Sequence, residues 1–283
     1  MKKLLVKWCV VAFLVTIVFT CQETDQVPVL EDEIPQAILD KIFNAGYSTQ
    51  DVIRADWNGK SGYVVEYDLF FAEDEISGLE LNPKVPQTEQ YHTTNLVAGL
   101  PRVIKVGIDP SFSQSAKTAL DDALAMYNAE NVSLSFQLAT VTVSGKGKKK
   151  TITTDADIFI SAFSERPRRG FITLGRAAGF PTASGDPAEG FGLNTYWIDN
   201  YAPSVDELKG VMAHEIGHTI GFRHTDYQTR ESCGSNTNEG SAGVGAIYIP
   251  GTPSGSDATS LMQSCGPSRT FNNNDKIALD YLY

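Results

Sequence analysis

The sequence predicts an α+β fold, in which about five short strands pack on one long, well-capped helix behind a smaller α+β segment. Three observations carry this. Between residues 102 and 198, apolar residues alternate in several short runs. Helical spacing covers Ala116 to Tyr127 and the stretch after Ser204. A separate helix-then-strand pattern occupies residues 34 to 71. Period-two and period-3.6 patterns mark the faces that a sheet and a helix bury, so a chain mixing both in this order reads as α+β.

At the amino terminus, Lys2, Lys3 and Lys7 flank an apolar run from Trp8 to Phe19. That run has the length of a signal-peptide core and is short for a membrane span. Residues 1–20 are therefore expected to direct export. Val18-Phe19-Thr20-Cys21 resembles a relaxed bacterial lipobox, in which Cys21 would carry the lipid; ordinary signal cleavage nearby is the alternative.

Ile34, Ile38, Leu39, Ile42 and Phe43 have helical spacing, and Gly62 to Phe71 reads as one strand. Residues 21–100 are thus a tether and a small folded segment, either a prosegment covering the cleft or a permanent accessory domain. Residues 80–100, with Pro83 and Pro86, read as the connection, and His92 within it as a surface residue rather than a ligand.

From residue 101 the expected domain runs to 283. Ile104, Val106 and Ile108 alternate, Ala116, Leu120, Ala123 and Tyr127 follow helical spacing, and Val132, Leu134 and Phe136 alternate again. Ile158 and Ile160, Leu174 to Phe180, and Phe191 to Ile198 supply further strands. Lys146-Gly147-Lys148-Lys149-Lys150 reads as an exposed hairpin turn.

The next helix begins at Ser204, an N-cap with Glu207 three residues on, and Leu208, Met212 and Ile216 give it an apolar side. It carries His214-Glu215-Ile216-Gly217-His218 and leads to Gly221 and His224, matching H-E-x-x-H-x-x-G-x-x-H at every position. Residues four apart share a helix face, so His214 and His218 can address one zinc ion. Gly221 tolerates the backbone that ends a helix, and the reversal brings His224 to the same ion. Three protein ligands leave the fourth position of a catalytic zinc open, and no fourth ligand is apparent in the sequence. Glu215 is placed as general base and acid for the water that attacks a peptide carbonyl.

This extended motif resembles that of the metzincin clan of zinc proteases, and its HEIGH core resembles the bacterial dual-action HEIGH metallopeptidases. The resemblance implies a zincin-like catalytic domain with a mixed twisted sheet over roughly residues 101–283. Phe271 to Tyr283 is similar to the closing helix of matrixin-like domains. It also implies a Met-turn at Ser260-Leu261-Met262 beneath the zinc, and a substrate-binding antiparallel edge strand at Leu174 to Phe180. Two departures stand out. Some metzincins place a tyrosine two residues after the turn methionine, where this chain has Ser264. Others are kept latent by a propeptide cysteine or aspartate in the fourth zinc position, yet no cysteine lies between Cys21 and Cys233.

With Cys9 in the signal and Cys21 in the lipobox, Cys233 and Cys265 remain as a pair in a chain bound for an oxidising compartment, which favours a disulfide over free thiols. Charge is unevenly spread: residues 22–100 hold 15 acidic and 4 basic side chains, while residues 101–283 hold 19 and 16. Nothing is basic enough for nucleic acid. The expected protein is thus a monomeric, secreted or surface-anchored zinc endopeptidase with one catalytic Zn2+, acting on proteins or peptides and meeting membrane only through Cys21. A silent surface binding protein on the same fold is the rival, and the intact Glu215 argues against it.

Overall fold

Cβ-branched and aromatic runs become strands here, and the two capped apolar stripes become the helices that cover them. The computed structural model describes residues 34–45, 47–66, 68–77, 90–145, 150–168, 171–240, 244–253, 256–266 and 270–283. The expected signal, Cys21, residues 80–89 of the expected connection and residues 146–149 of the expected lysine-rich turn lie outside them.

The front segment contains helix α1 (Gln36–Asn44), strands β1 (Ile53–Trp57), β2 (Lys60–Val65) and β3 (Leu69–Ala72), and the short helix α2 (Glu73–Ser77). Then follow β4 (Tyr91–His92), β5 (Arg102–Ile108), α3 (Gln114–Asn128), β6 (Leu134–Leu138) and the hairpin β7 (Val141–Ser144) with β8 (Thr151–Thr154). The chain continues through β9 (Ile158–Phe163), β10 (Gly175–Ala177), β11 (Gly190–Asn194), α4 (Thr195–Tyr201), α5 (Val205–Thr219), β12 (Ile247–Tyr248) and α6 (Asn273–Leu282).

One eight-stranded sheet runs in the order β1-β2-β3-β10-β11-β9-β5-β6. Five of its strands come from after residue 101, as expected, and form a mixed sheet in which only β10 against β11 is antiparallel. The other three are the front segment's antiparallel strands β1, β2 and β3, joined to β10 through β3. The main core lies between the sheet and helices α3, α5 and α6, with Ile104, Ile160, Leu193, Met212 and Ile216 fully buried. Tyr127 on α3 donates its hydroxyl to the Ala213 carbonyl of α5 at 2.8 Å, fixing the two helices against each other.

Three expectations from sequence are corrected. Gly62 to Phe71 is two strands, because Glu66 takes a left-handed φ of 56° and turns the chain back on itself. The run from Phe191 to Ile198 stops being a strand at Asn194, whose side chain accepts from the Tyr196 amide at 3.0 Å and caps α4. His92 is buried rather than on the surface, with Nδ1 2.7 Å from the Thr93 carbonyl.

The front segment has its own apolar cluster of Ile42, Tyr47, Tyr63, Val65, Leu69, Phe71 and Ile76, which reaches Ala177 of β10. On the other face, Trp57 donates to Ser161 Oγ of β9 at 2.6 Å. Residues 90–98 belong differently: Gln90 donates to Asp275 on α6, and β4 pairs with β12. No helix among the described residues is long and apolar enough to cross a membrane.

Candidate active site

Helix α5 starts where its capping box predicts. Ser204 Oγ accepts from the Glu207 amide at 3.2 Å and Glu207 Oε2 accepts from the Ser204 amide at 2.8 Å. Such caps stabilise a helix by about 1 kcal/mol. At the other end Gly221 has φ of 112°, and an added Cβ there would stand 2.8 Å from Leu96 Cδ2. The positive φ favours glycine here, and a side chain would also have to push Leu96 aside. The turn brings the Phe222 amide to the Gly217 carbonyl at 2.9 Å and the Phe222 carbonyl to His218 Nδ1, also at 2.9 Å.

The three histidines converge. His214 and His224 Nε2 each lie 3.1 Å from His218 Nε2, and all three rings are buried. Every Nδ1 has an acceptor: the Leu261 carbonyl at 2.8 Å for His214, the Phe222 carbonyl for His218, and the Glu239 carboxylate at 3.0 and 3.2 Å for His224. Each Nδ1 thus carries a proton, so Nε2 is the nitrogen that each neutral ring would offer to a metal. Three such nitrogens this close would repel one another without a shared proton or cation. Ligands about 2.0–2.1 Å from a tetrahedral zinc would stand about 3.3 Å apart, so the residues fit that ion.

Beneath them lies the turn through Met262. Its Sδ would be 2.5 Å from a Cβ placed on Gly217, so the helix has a glycine where the methionine packs, between two histidines. The turn is pinned from α6, where Asp275 accepts from Ser260 Oγ at 2.5 Å and from the Leu261 amide at 2.9 Å. Leu261 thereby carries the constraint to His214. The disulfide joins Cys233 to Cys265 across the loop that follows His224.

Glu215 is buried on the same helix, and its Oε2 has no hydrogen-bond partner. Burial and then the neighbouring charge of Asp68 push its carboxyl well above the usual range. A Cβ on Gly175 of β10 would overlap Glu215 Oε1 and lie 2.7 Å from its Cδ, so the strand passes close over the carboxylate. Arg176, the next residue, pairs with Glu165 and lies over the Phe163 ring instead.

Asp68 is the residue that sequence reasoning missed. Its Oδ2 is 2.7 Å from His224 Nε2, 3.6 Å from His218 Nε2 and 3.7 Å from His214 Nε2. These four side chains are all buried, and their donor atoms lie within 4.8 Å of one another. Burial raises the Asp68 carboxyl, but His224 and hydrogen bonding to the other two rings outweigh it and hold the group well below its ordinary value. The backbone places it: the Asp68 carbonyl accepts from the Ala177 amide at 2.7 Å, and Leu69 pairs with Ala177 in parallel. Leu174 to Phe180 is therefore not an open edge, since β3 covers β10. The available signal was Glu66 and Asp68, two carboxylates inside an otherwise apolar run.

Glu239 was also missed. It is fully buried, holds His224 Nδ1, and also accepts from Ser264 Oγ at 3.1 Å. Ser264, standing where some metzincins have tyrosine, has Asp226 as its nearer acceptor at 2.8 Å, so its single hydroxyl proton is shared between Asp226 and the Glu239 carboxylate behind a histidine.

A helix presenting two imidazoles, a third after a glycine turn and a buried carboxylate beside them define a zinc metallopeptidase. Residues 63–283 match the dual-action HEIGH metallo-peptidase family, and the chain belongs to it. No curated protein matches the chain. Among solved structures, two of myroilysin resemble it. The first is 11% identical with a TM-score of 0.41 over 68% of this chain and 98% of that one; the second is 12% identical, at 0.38, over 67% and 87%. High choriolytic enzyme 1, a hatching enzyme zinc-protease from the medaka fish Oryzias latipes, is 17% identical with a TM-score of 0.37 over 64% and 88%.

Proposed function

We propose that this zinc metallopeptidase is an exported endopeptidase made in a latent form, with residues 34–77 as the inhibitory prosegment. The observation that carries this reading is Asp68 Oδ2 standing among the three histidine Nε2 atoms. His214, His218 and His224 would hold the zinc, and Asp68 stands where it would keep water from the ion. Strand β3 meanwhile covers β10, the strand on which a substrate backbone would otherwise lie.

Zinc, when bound, supplies a Lewis acid and an acidified water. The chain's own residues do the rest. Glu215, one residue after the first ligand, takes the water's proton and delivers it to the leaving amine, and burial that raises its proton affinity suits both roles. Leu261, Phe222 and Glu239 keep the imidazoles in the tautomer that binds metal. Gly175 leaves Glu215 room to reach the reacting carbonyl.

The boundary of the mature domain is better drawn before Gln90 than at residue 101. Arg223 N donates to the Tyr91 carbonyl at 2.9 Å and Ile249 N to the Gln90 carbonyl at 2.8 Å, ties that would be lost with the later boundary. Export is supported by the charged and apolar pattern of residues 1–20 and by the Cys233–Cys265 bond. Anchoring through Cys21 rests on its lipobox alone.

The test is made on the full purified chain. It should carry about one zinc per chain, cleave casein weakly as isolated, gain activity after nicking by a trace of a second protease, and lose it to chelator. A chain that binds zinc and cuts nothing after residues 34–77 are released would overturn the proposal.

A further inference from the structure

We propose that Trp57 is a second lock on the latent enzyme: it fastens residues 34–77 to the face of the sheet opposite the histidines, and Asp68 leaves the metal site only when this indole leaves its slot. The proposal rests on the reading of residues 34–77 as an inhibitory prosegment.

Register fixes the face. A Cβ on Gly175 would meet Glu215, so that residue of β10 faces helix α5, and its neighbour Arg176 faces the other way. Arg176 pairs with Gly192 of β11, and Gly192 with Ser161 of β9, so these three share the face opposite α5. Trp57 reaches that face. Its Nε1 donates to Ser161 Oγ at 2.6 Å and lies 3.1 Å from where a Cβ on Gly192 would stand. Both partners are buried, with Trp57 5% and Ser161 7% exposed.

Strand pairing alone would not bring them together. β1 stands five places from β9 in the sheet, which is about 24 Å at about 4.8 Å per strand. The β1–β2 hairpin therefore folds back over the sheet. Asn58 and Gly59, with φ of 50° and 77°, form its two-residue turn, and Trp57 is the last residue before that turn. The indole also meets Phe70 of β3 edge-on, with ring centroids 5.4 Å apart. That contact ties it to the strand that carries Asp68 into the metal site.

The segment thus grips the sheet from both sides. On the side of the histidines stands Asp68, and β3 joins β10 through a single residue pair, Leu69 with Ala177. So short a junction holds a strand weakly by itself. On the far side, a buried tryptophan supplies the hold, and truncating such a residue shifts a folding or docking equilibrium by about a hundredfold or more.

The experiment reads hydrogen exchange at the Ala177 amide, which donates to the Asp68 carbonyl at 2.7 Å and is exposed when β3 lifts away. It uses the full unprocessed chain in a Glu215→Gln background, so that no chain cuts itself. Trp57→Ala should speed this exchange by about a hundredfold or more. Trp57→Phe keeps a ring beside Phe70 and loses the N–H, whereas Ser161→Ala leaves residues 34–77 unchanged; each should speed exchange by about tenfold. The two together should do no more than either alone, because both break one hydrogen bond. Effects that multiply in the pair would mean that Trp57 only stabilises its own segment, and unchanged exchange would mean that it holds nothing; either result overturns the lock. With Glu215 intact, unprocessed Trp57→Ala should cleave casein at least about tenfold faster than unprocessed wild type, and an equally silent variant overturns the part of Trp57 in latency. If the wild type cuts nothing even after residues 34–77 are released, the peptidase reading fails, and the exchange alone decides whether Trp57 holds the segment down.

Discussion

Asp68 Oδ2 and His224 Nε2 lie 2.7 Å apart, which joins the tip of the β2–β3 turn to the only histidine of the three that is not on helix α5. The contact depends on two left-handed or near-left-handed reversals in distant parts of the chain, at Glu66 with φ of 56° and at Gly221 with φ of 112°. Neither reversal serves packing alone. One aims a carboxylate and the other an imidazole at the same point.

Removing that carboxylate should unlock the unprocessed chain. Asp68→Ala, still carrying residues 34–77, should cleave casein at least about tenfold faster than the unprocessed wild type, since no carboxylate would then compete with water for a metal held by the three histidines. After full processing the two chains should be equal in rate. An unprocessed variant as silent as wild type would remove Asp68 from the latency device and leave β3 to account for it.

Glu215→Gln preserves size and leaves the histidines untouched. Zinc content by atomic spectroscopy should remain about one per chain, while kcat falls by about a hundredfold or more as the proton shuttle is lost. Activity within a few-fold of wild type would mean that another group takes the proton.

Behind the ligands, Glu239→Gln should weaken zinc binding by about 10–100-fold in a competition with a chromogenic chelator, because the carboxylate that orients His224 becomes a neutral amide. The same residue has a pH signature in the metal-free chain. Burial raises its carboxyl, but His224, Arg230 and Arg223 overcome that and bring it from 4.5 down to about 2. A depressed carboxyl stabilises the fold above its unfolded value and loses that contribution as pH falls through the folded one. Acid unfolding of wild type between pH 4.5 and about 2 should accordingly be steeper than that of the variant.

Much of this site was legible because its parts are local. His214, Glu215 and His218 are fixed by helical spacing, Ser204 and Glu207 by a four-residue cap, and Gly221 by a conformation few other residues adopt. The strands after residue 101 were legible from alternation. What escaped was contact across the fold. Asp68 and Glu239 are distant in sequence from the groups they meet, and no periodicity records such a meeting. The single strand expected from Gly62 to Phe71 hid a turn because Val64, Val65, Leu69 and Phe70 are apolar on both sides of it, buried on both faces of a central strand pair. In such a run, the polar pair Glu66 and Asp68 marks the break.

The disulfide closes a segment 32 residues long around the loop that holds Glu239 and Ser264. A loop of that length restricts the unfolded chain by about 3–4 kcal/mol. The Cys233→Ser, Cys265→Ser double variant should melt several degrees lower in a thermal scan, and reductant should lower the wild type towards it. An unchanged melting temperature would show that the loop is held by its hydrogen bonds, such as Cys265 N to Ser232 Oγ at 2.9 Å, without the bond.

Gly175→Ala tests the space above the base. Gly175 lies in β10 with ordinary strand pairing to Leu193, so alanine meets no backbone penalty there. Its methyl would overlap Glu215 Oε1 and stand 2.7 Å from Cδ and Cγ, and the carboxylate is the part able to move. Displacement by about 1 Å of a catalytic group costs roughly a hundredfold in rate. The three atoms nearest that methyl all belong to Glu215, so zinc affinity should hold within a few-fold while kcat drops by about ten- to a hundredfold. Equal losses of zinc affinity and rate would instead mean that the methyl shifts helix α5 as a body, and unchanged kcat would mean that Glu215 works from a position other than the one β10 defines.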